Sequence, residues 1–169
     1  MYKRQHYPAN YGFIPRTYAG DHDPLDVLVL CQEEIYPLTL VECYPIGVLR
    51  MTDSGEDDEK IIAIPKKDPF LNEYRDISEI PAQTSAEIMH FFEVYKQLEG
   101  KVTSVDKMMG REEAEKIIQE ALSKFVLNNG RLEEVQINDV STIINLAKNP
   151  TGANVSPVSY THLTLPTNS

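Results

Sequence analysis

Asp21-His22-Asp23-Pro24-Leu25-Asp26-Val27, continued by Leu28-Val29-Leu30-Cys31, sets three carboxylates within six residues and runs at once into an apolar strand. Pro24 stiffens the turn. Like charges this close raise one another's pKa values unless cations neutralise them. Carboxylate oxygens are hard ligands suited to Mg²⁺ or Mn²⁺ rather than to soft-ligand metals. A lone D-x-D is more often a polar surface turn with Asp as a local cap. An EF-hand is excluded, because the loop has Asp26 where that motif needs Gly and Gln32 where it needs Glu.

Outward from this segment, 25–31 (LDVLVLC), 40–49 (LVECYPIGVL) and 61–64 (IIAI) read as short strands divided by Pro and Gly breaks. Pro45 and Gly47 within the second run predict a bend or bulge of the kind small barrels use. A second acidic cluster, Asp53-Ser54-Gly55-Glu56-Asp57-Asp58-Glu59-Lys60, follows that run. On its own it is a solvated charge run, and Lys60 fits an ordinary ion pair as well as a phosphate-binding lysine. Both clusters stand at strand ends, so their carboxylates are placed to converge on one cation site suited to phosphoryl transfer.

Two helices are expected next. Thr84 and Glu87 form a capping-box pattern after Pro81, with Ile88, Phe91, Phe92, Tyr95 and Leu98 at helical spacing and Gly100 to end it. The second spans about 111–127, with Glu112, Glu113 and Glu115 at its dipole-positive start, Lys124 near its end and Gly130 beyond. Ala114, Ile117, Ile118, Ala121, Leu122 and Phe125 give its buried face. Signals after 129 are weak: a short strand at 132–137 and a short helix at 140–146 are expected.

The chain of 169 residues fits one domain, with 41% hydrophobic residues, ordinary for a globular protein. No apolar run approaches the ~20 residues needed to span a bilayer. The N-terminal ten residues lack the apolar stretch of a signal peptide. Cys31 and Cys43 are too few for a disulfide framework and read as free thiols in a reducing compartment, so the cytoplasm is the expected location. With 16 basic against 26 acidic residues the net charge is −10, which argues against a nucleic-acid partner. Residues 1–5 (MYKRQ) and 158–169 (VSYTHLTLPTNS) look like translated adapter sequence, which leaves 6–157 as the domain.

The segment 21–27 resembles the signature of the soluble family I inorganic pyrophosphatases, D-x-D-P-x-D-V. The resemblance extends through Tyr7-Pro8-Ala9-Asn10-Tyr11-Gly12-Phe13-Ile14-Pro15, Gly47-Val48-Leu49-Arg50-Met51-Thr52-Asp53, Asp58-Glu59-Lys60 and His90-Phe91-Phe92-Glu93-Val94-Tyr95-Lys96. It therefore covers His6 to about Phe125, in matching order. What it implies is a mainly β protein with flanking helices (α+β), built on an OB-like five-stranded barrel. The activity implied is Mg²⁺-dependent hydrolysis of pyrophosphate to two phosphates, in a homo-oligomer that is a hexamer if bacterial and a dimer if eukaryotic. By the same resemblance Asp21, Asp26 and Asp58 ligate activating metals and Asp53 those that arrive with substrate. Asp23 is the general base, Tyr11, Lys60, Tyr95 and Lys96 hold the phosphates, and Tyr7 supports the site. Family members also carry a Lys, a Glu and an Arg upstream of the Y-P-x-N-Y-G segment, and their absence here implies a truncated phosphate clamp and a native start upstream of His6. A cation-binding module without catalysis is the rival reading, and retention of Asp23 speaks against it. An OB-type oligonucleotide binder is disfavoured by the charge.

Overall fold

The computed structural model describes residues 6–53, 55–100, 103–128 and 142–145. Six strands and two helices follow in the order β1 (Asn10–Phe13), β2 (Asp26–Val29), β3 (Leu40–Asp53), β4 (Glu56–Pro65), α1 (Ala82–Val94), β5 (Thr103–Gly110), α2 (Arg111–Asn128) and β6 (Thr142–Asn145), with a 3₁₀ turn at Ile77–Glu79 before α1. The strands pair round a ring. β1 lies antiparallel to β2, β2 parallel to β4, β4 antiparallel to β3, the start of β3 antiparallel to β6, and β6 returns to β1 through Phe13 and Asn145. That circuit is the expected five-stranded barrel. β5 extends it along the second half of β3.

β3 serves three neighbours because it is long and bent. Its register against β4 shifts between Pro45 and Gly47, where a bulge was expected. Gly47 is also required by packing: a Cβ there would stand 2.7 Å from both Ile77 Cβ and the Met109 carbonyl oxygen. Gly110, its partner across the sheet, has the Asp76 carboxylate at the same 2.7 Å. The paired glycines thus form a floor on which the 3₁₀ turn sits. From there Asp76 caps two elements, accepting from Ser78 N at 3.0 Å and from Arg111 N, the first residue of α2, at 2.7 Å.

Alternation along the strands builds two cores. Val27, Val29, Ile61 and Ala63 pack with Ala114, Ile117, Ile118 and Ala121 of α2. Leu28, Leu30, Ile62 and Ile64 pack with Ile88 and Phe92 of α1. Both cysteines are free thiols, as expected. Among the described residues no helix is long and apolar enough to cross a membrane.

Several expectations need correction. α1 begins at Ala82 with Pro81 as its cap residue, so Thr84 lies inside the first turn and Glu87 instead accepts from Gln83 Nε2 at 3.0 Å. Pro81 presets the backbone for helix entry, which leaves nothing for a Thr84 cap to do. The capping box in this region is Asp76 with Glu79. α1 ends at Val94; Gly100, at φ +70°, closes a separate 3₁₀ turn, and Leu98 on that turn is exposed rather than packed. Residues 142–145 form a strand where a helix was expected. Thr142-Ile143-Ile144 is a β-branched run, and the open edges of β1 and β3 supply its hydrogen-bond partners. The strand expected at 132–137 and the terminal segments lie outside the described residues.

Candidate active site

Parallel pairing of β2 with β4 sets Asp26 opposite Lys60, and the two-residue period puts Asp58 on the same face of β4 as Lys60. This is the α1 face. Lys60, only 3% exposed, carries its ammonium between the two acids: Nζ lies 2.5 Å from Asp26 Oδ2 and 2.5 Å from Asp58 Oδ1. Burial alone would push the Lys60 pKa down. The carboxylate of Asp26 first, with Asp58 beside it, more than reverses this and holds it well above the usual lysine range.

The Tyr11 hydroxyl donates to the same Asp26 Oδ2 at 2.5 Å. Burial first, then Asp26, drives the Tyr11 pKa well above its normal value, so it remains a donor. Tyr7 stacks on Tyr11 with centroids 4.3 Å apart and also meets Phe91 at 5.1 Å. Tyr95 completes this aromatic shelf, its ring 5.2 Å from Phe92. Its hydroxyl bonds Lys96 and senses the charge of Lys60, and burial raises its pKa. Lys96 forms an ion pair with Asp53 at the end of β3, and its ammonium is 5.2 Å from the Tyr95 centroid.

Asp21 and Asp23 stand on the turn that leads into β2. Buried Thr17 anchors the turn's base: its hydroxyl donates to the Ile14 carbonyl at 2.6 Å and accepts from Leu25 N at 2.8 Å. Asp23 N donates to Asp21 Oδ1 at 3.1 Å, and Ala19 N to the Asp23 carbonyl at 2.8 Å. The Asp23 pKa is raised, by burial first and then by the charges of Asp21 and Asp26, with His22 acting in the opposite direction.

The expected residues therefore fall into three linked groups: Tyr7, Tyr11, Asp26, Asp58 and Lys60; Asp53, Tyr95 and Lys96; and the Asp21–Asp23 turn. They do not form one ring of carboxylates. Among the described residues no three His, Cys, Asp or Glu side chains gather closely enough to hold a metal ion together. Lys60 lies between two of the acids, Asp26 and Asp58, and is ion-paired with both. The donors still suit a divalent cation. All are carboxylate oxygens, and the mutual repulsion that raises Asp23 is the excess negative charge a cation relieves.

Thr17, Tyr18 and His22 escaped the sequence reading. Their signal is faint: a tyrosine four residues before a histidine that separates two aspartates.

A family model described as inorganic pyrophosphatase matches residues 1–126. The chain belongs to the inorganic pyrophosphatase family. It is similar to an inorganic pyrophosphatase of Nanoarchaeum equitans, 48% identical over 128 residues that cover 74% of this chain and 80% of that one. It is also similar to soluble inorganic pyrophosphatase 2 of Chlamydomonas reinhardtii, 46% identical over 74% of this chain and spanning 65% of that relative's length. Among solved structures, the inorganic pyrophosphatase of Helicobacter pylori superposes with a TM-score of 0.71 at 40% identity, covering 73% of this chain and 75% of that one. That of Thermus thermophilus gives 0.70 at 37% identity, covering 73% and 72%. The pyrophosphatase assignment thus rests on the part of the chain that holds all three residue groups.

Proposed function

We propose that this pyrophosphatase hydrolyses pyrophosphate to two phosphates by attack of water, with Asp23 as the base. One observation carries the reading: an accessible carboxylate with a raised pKa stands on the turn into β2 and feels the charge of Asp26, which with Asp58 pairs a buried lysine. Asp21, Asp26, Asp53 and Asp58 would hold the divalent cations, Mg²⁺ in preference to Mn²⁺. Bound there, such a cation neutralises phosphate oxygens and acidifies water. The chain's own groups supply the rest. Asp23 takes the proton as the water oxygen bonds to one phosphorus and the bridging P–O bond breaks, releasing the second phosphate. Lys60 and Lys96, both with raised pKa values, remain ammonium donors to phosphate oxygens, and Tyr11 and Tyr95 remain neutral O–H donors. Tyr7 fixes the Tyr11 ring by stacking.

The test compares phosphate release and Mg²⁺ affinity in two variants. Asp23→Asn keeps the shape but cannot take a proton, so turnover should fall about 10²–10⁴-fold with Mg²⁺ affinity nearly intact. Asp26→Asn should weaken Mg²⁺ binding itself. Equal loss of affinity in both would refute the base assignment, and full turnover in EDTA would refute the cation requirement.

A further inference from the structure

The turn bearing Asp21 and Asp23 is fastened from behind at two places. Thr17 fixes Leu25, and Tyr18 N donates to the Ala121 carbonyl of α2 at 3.0 Å. Between these anchors His22 adopts φ +70°, the left-handed region, which a residue with a Cβ occupies only when its surroundings hold it there. His22 is exposed, so no core packing does this. Backbone bonds close the turn, Ala19 N to the Asp23 carbonyl at 2.8 Å and His22 N to the Ala19 carbonyl at 3.4 Å, and the His22 side chain meets Tyr18. The Tyr18 hydroxyl is 2.8 Å from His22 Nδ1, and the two rings lie 5.5 Å apart at 44°. The backbone at residue 22 sets how the carboxylates on either side of it diverge. It also sets whether Ala19 N can reach the Asp23 carbonyl.

We propose that Tyr18 is a positioning residue: bonded to His22 and anchored to α2, it holds the left-handed turn that places Asp23. The inference rests on the reading of Asp23 as the base. The alternative is that the Tyr18 ring only fills surface space, and Tyr18→Phe keeps the ring while deleting the hydroxyl.

The experiment uses the full 169-residue chain and two readouts, amide hydrogen exchange and steady-state hydrolysis of pyrophosphate with Mg²⁺. Tyr18→Phe should speed exchange at the Ala19 and Asp23 amides about five-fold, the worth of one net hydrogen bond, with exchange in β4 unchanged. It should lower kcat by about the same factor at constant KM, because it misplaces the base without touching the phosphate donors. In a His22→Gly background, where glycine takes φ +70° unaided, Tyr18→Phe should add less than about two-fold. Unchanged exchange at Ala19 and Asp23 overturns the proposal, as does an undiminished Tyr18→Phe effect beside His22→Gly. Asp23→Asn measured in parallel separates the two readings. Full turnover in that variant removes the base, while the exchange result judges the Tyr18 contact independently.

Discussion

The two faces of the sheet share their strands and differ in kind. On the α2 side, Ile61 and Ala63 of β4 meet small and aliphatic residues, and charge is kept to the margin, where Arg50 pairs with Glu113. On the α1 side, Asp58 and Lys60 sit in line with Ile62 and Ile64, under a shelf of Tyr7, Tyr11, Phe92 and Tyr95. The difference shows how a barrel can carry charge without losing its core. One face supplies packing free energy, so the other can hold a buried ammonium that stays only while both acids answer it. Alternation keeps the tasks apart. A one-residue slip of β4 would bring Glu59 and Ile61 to the site in place of Asp58 and Lys60.

The comparison breaks most sharply at Lys60. Lys60→Met deletes the proposed phosphate donor and leaves Asp26 and Asp58 facing each other. Turnover should fall by about 10²-fold or more. Stability should fall too, by at most about 3 kcal/mol, because Asp26 keeps 27% of its side chain in water. Chemical denaturation and phosphate release together measure both; near-normal turnover would show that Lys60 is a structural ion pair alone.

The mirror experiment is Ile118→Ala on the α2 face. Ile118 is 1% exposed, so the cavity should cost about 2–5 kcal/mol, with kcat of the folded fraction within about two-fold of the parent. A much larger fall in kcat would mean that the faces are coupled and the division of labour is false.

The smallest effect is expected at Asp76, which belongs to neither face and joins the two at the start of α2. Hydrogen bonds from Arg111 N, Ser78 N and the Ser78 hydroxyl hold its pKa below the usual carboxylate value. A folded pKa below the unfolded one means the stabilisation is complete above the unfolded carboxylate range and is lost as pH falls through the folded value. Asp76→Asn should cost about 1 kcal/mol at neutral pH, as for a lost helix cap, and the parent's advantage should shrink toward pH 3. Thermal melts of both proteins across pH 3–7 measure this; a gap that stays constant would place the cap's worth in shape rather than charge.

Much of this molecule is written locally. Apolar runs announced β2, β3 and β4, the Pro45–Gly47 pair announced the bulge, and the periodicity of Ala114, Ile117, Ile118 and Ala121 announced α2, because strand and helix spacing are properties of short segments. The acidic clusters at 21–26 and 53–58 likewise marked the candidate site, since carboxylates repel at short sequence separation whatever the fold. What the sequence could not show is what depends on partners distant along the chain. β1 and β5 are strands because β2 and β3 offer them edges, and their own composition is too mixed to say so. Lys60 meets Asp26 because β2 and β4 lie parallel in one register, a choice made between segments 34 residues apart. The turn that carries the Tyr18–His22 contact is tied to α2 by Tyr18 N at the Ala121 carbonyl, a partner far along the chain. Local pattern determined which residues carry charge and which carry packing; tertiary pairing decided which charges touch, because electrostatic and hydrogen-bond energies depend on a few ångströms that no sequence spacing specifies.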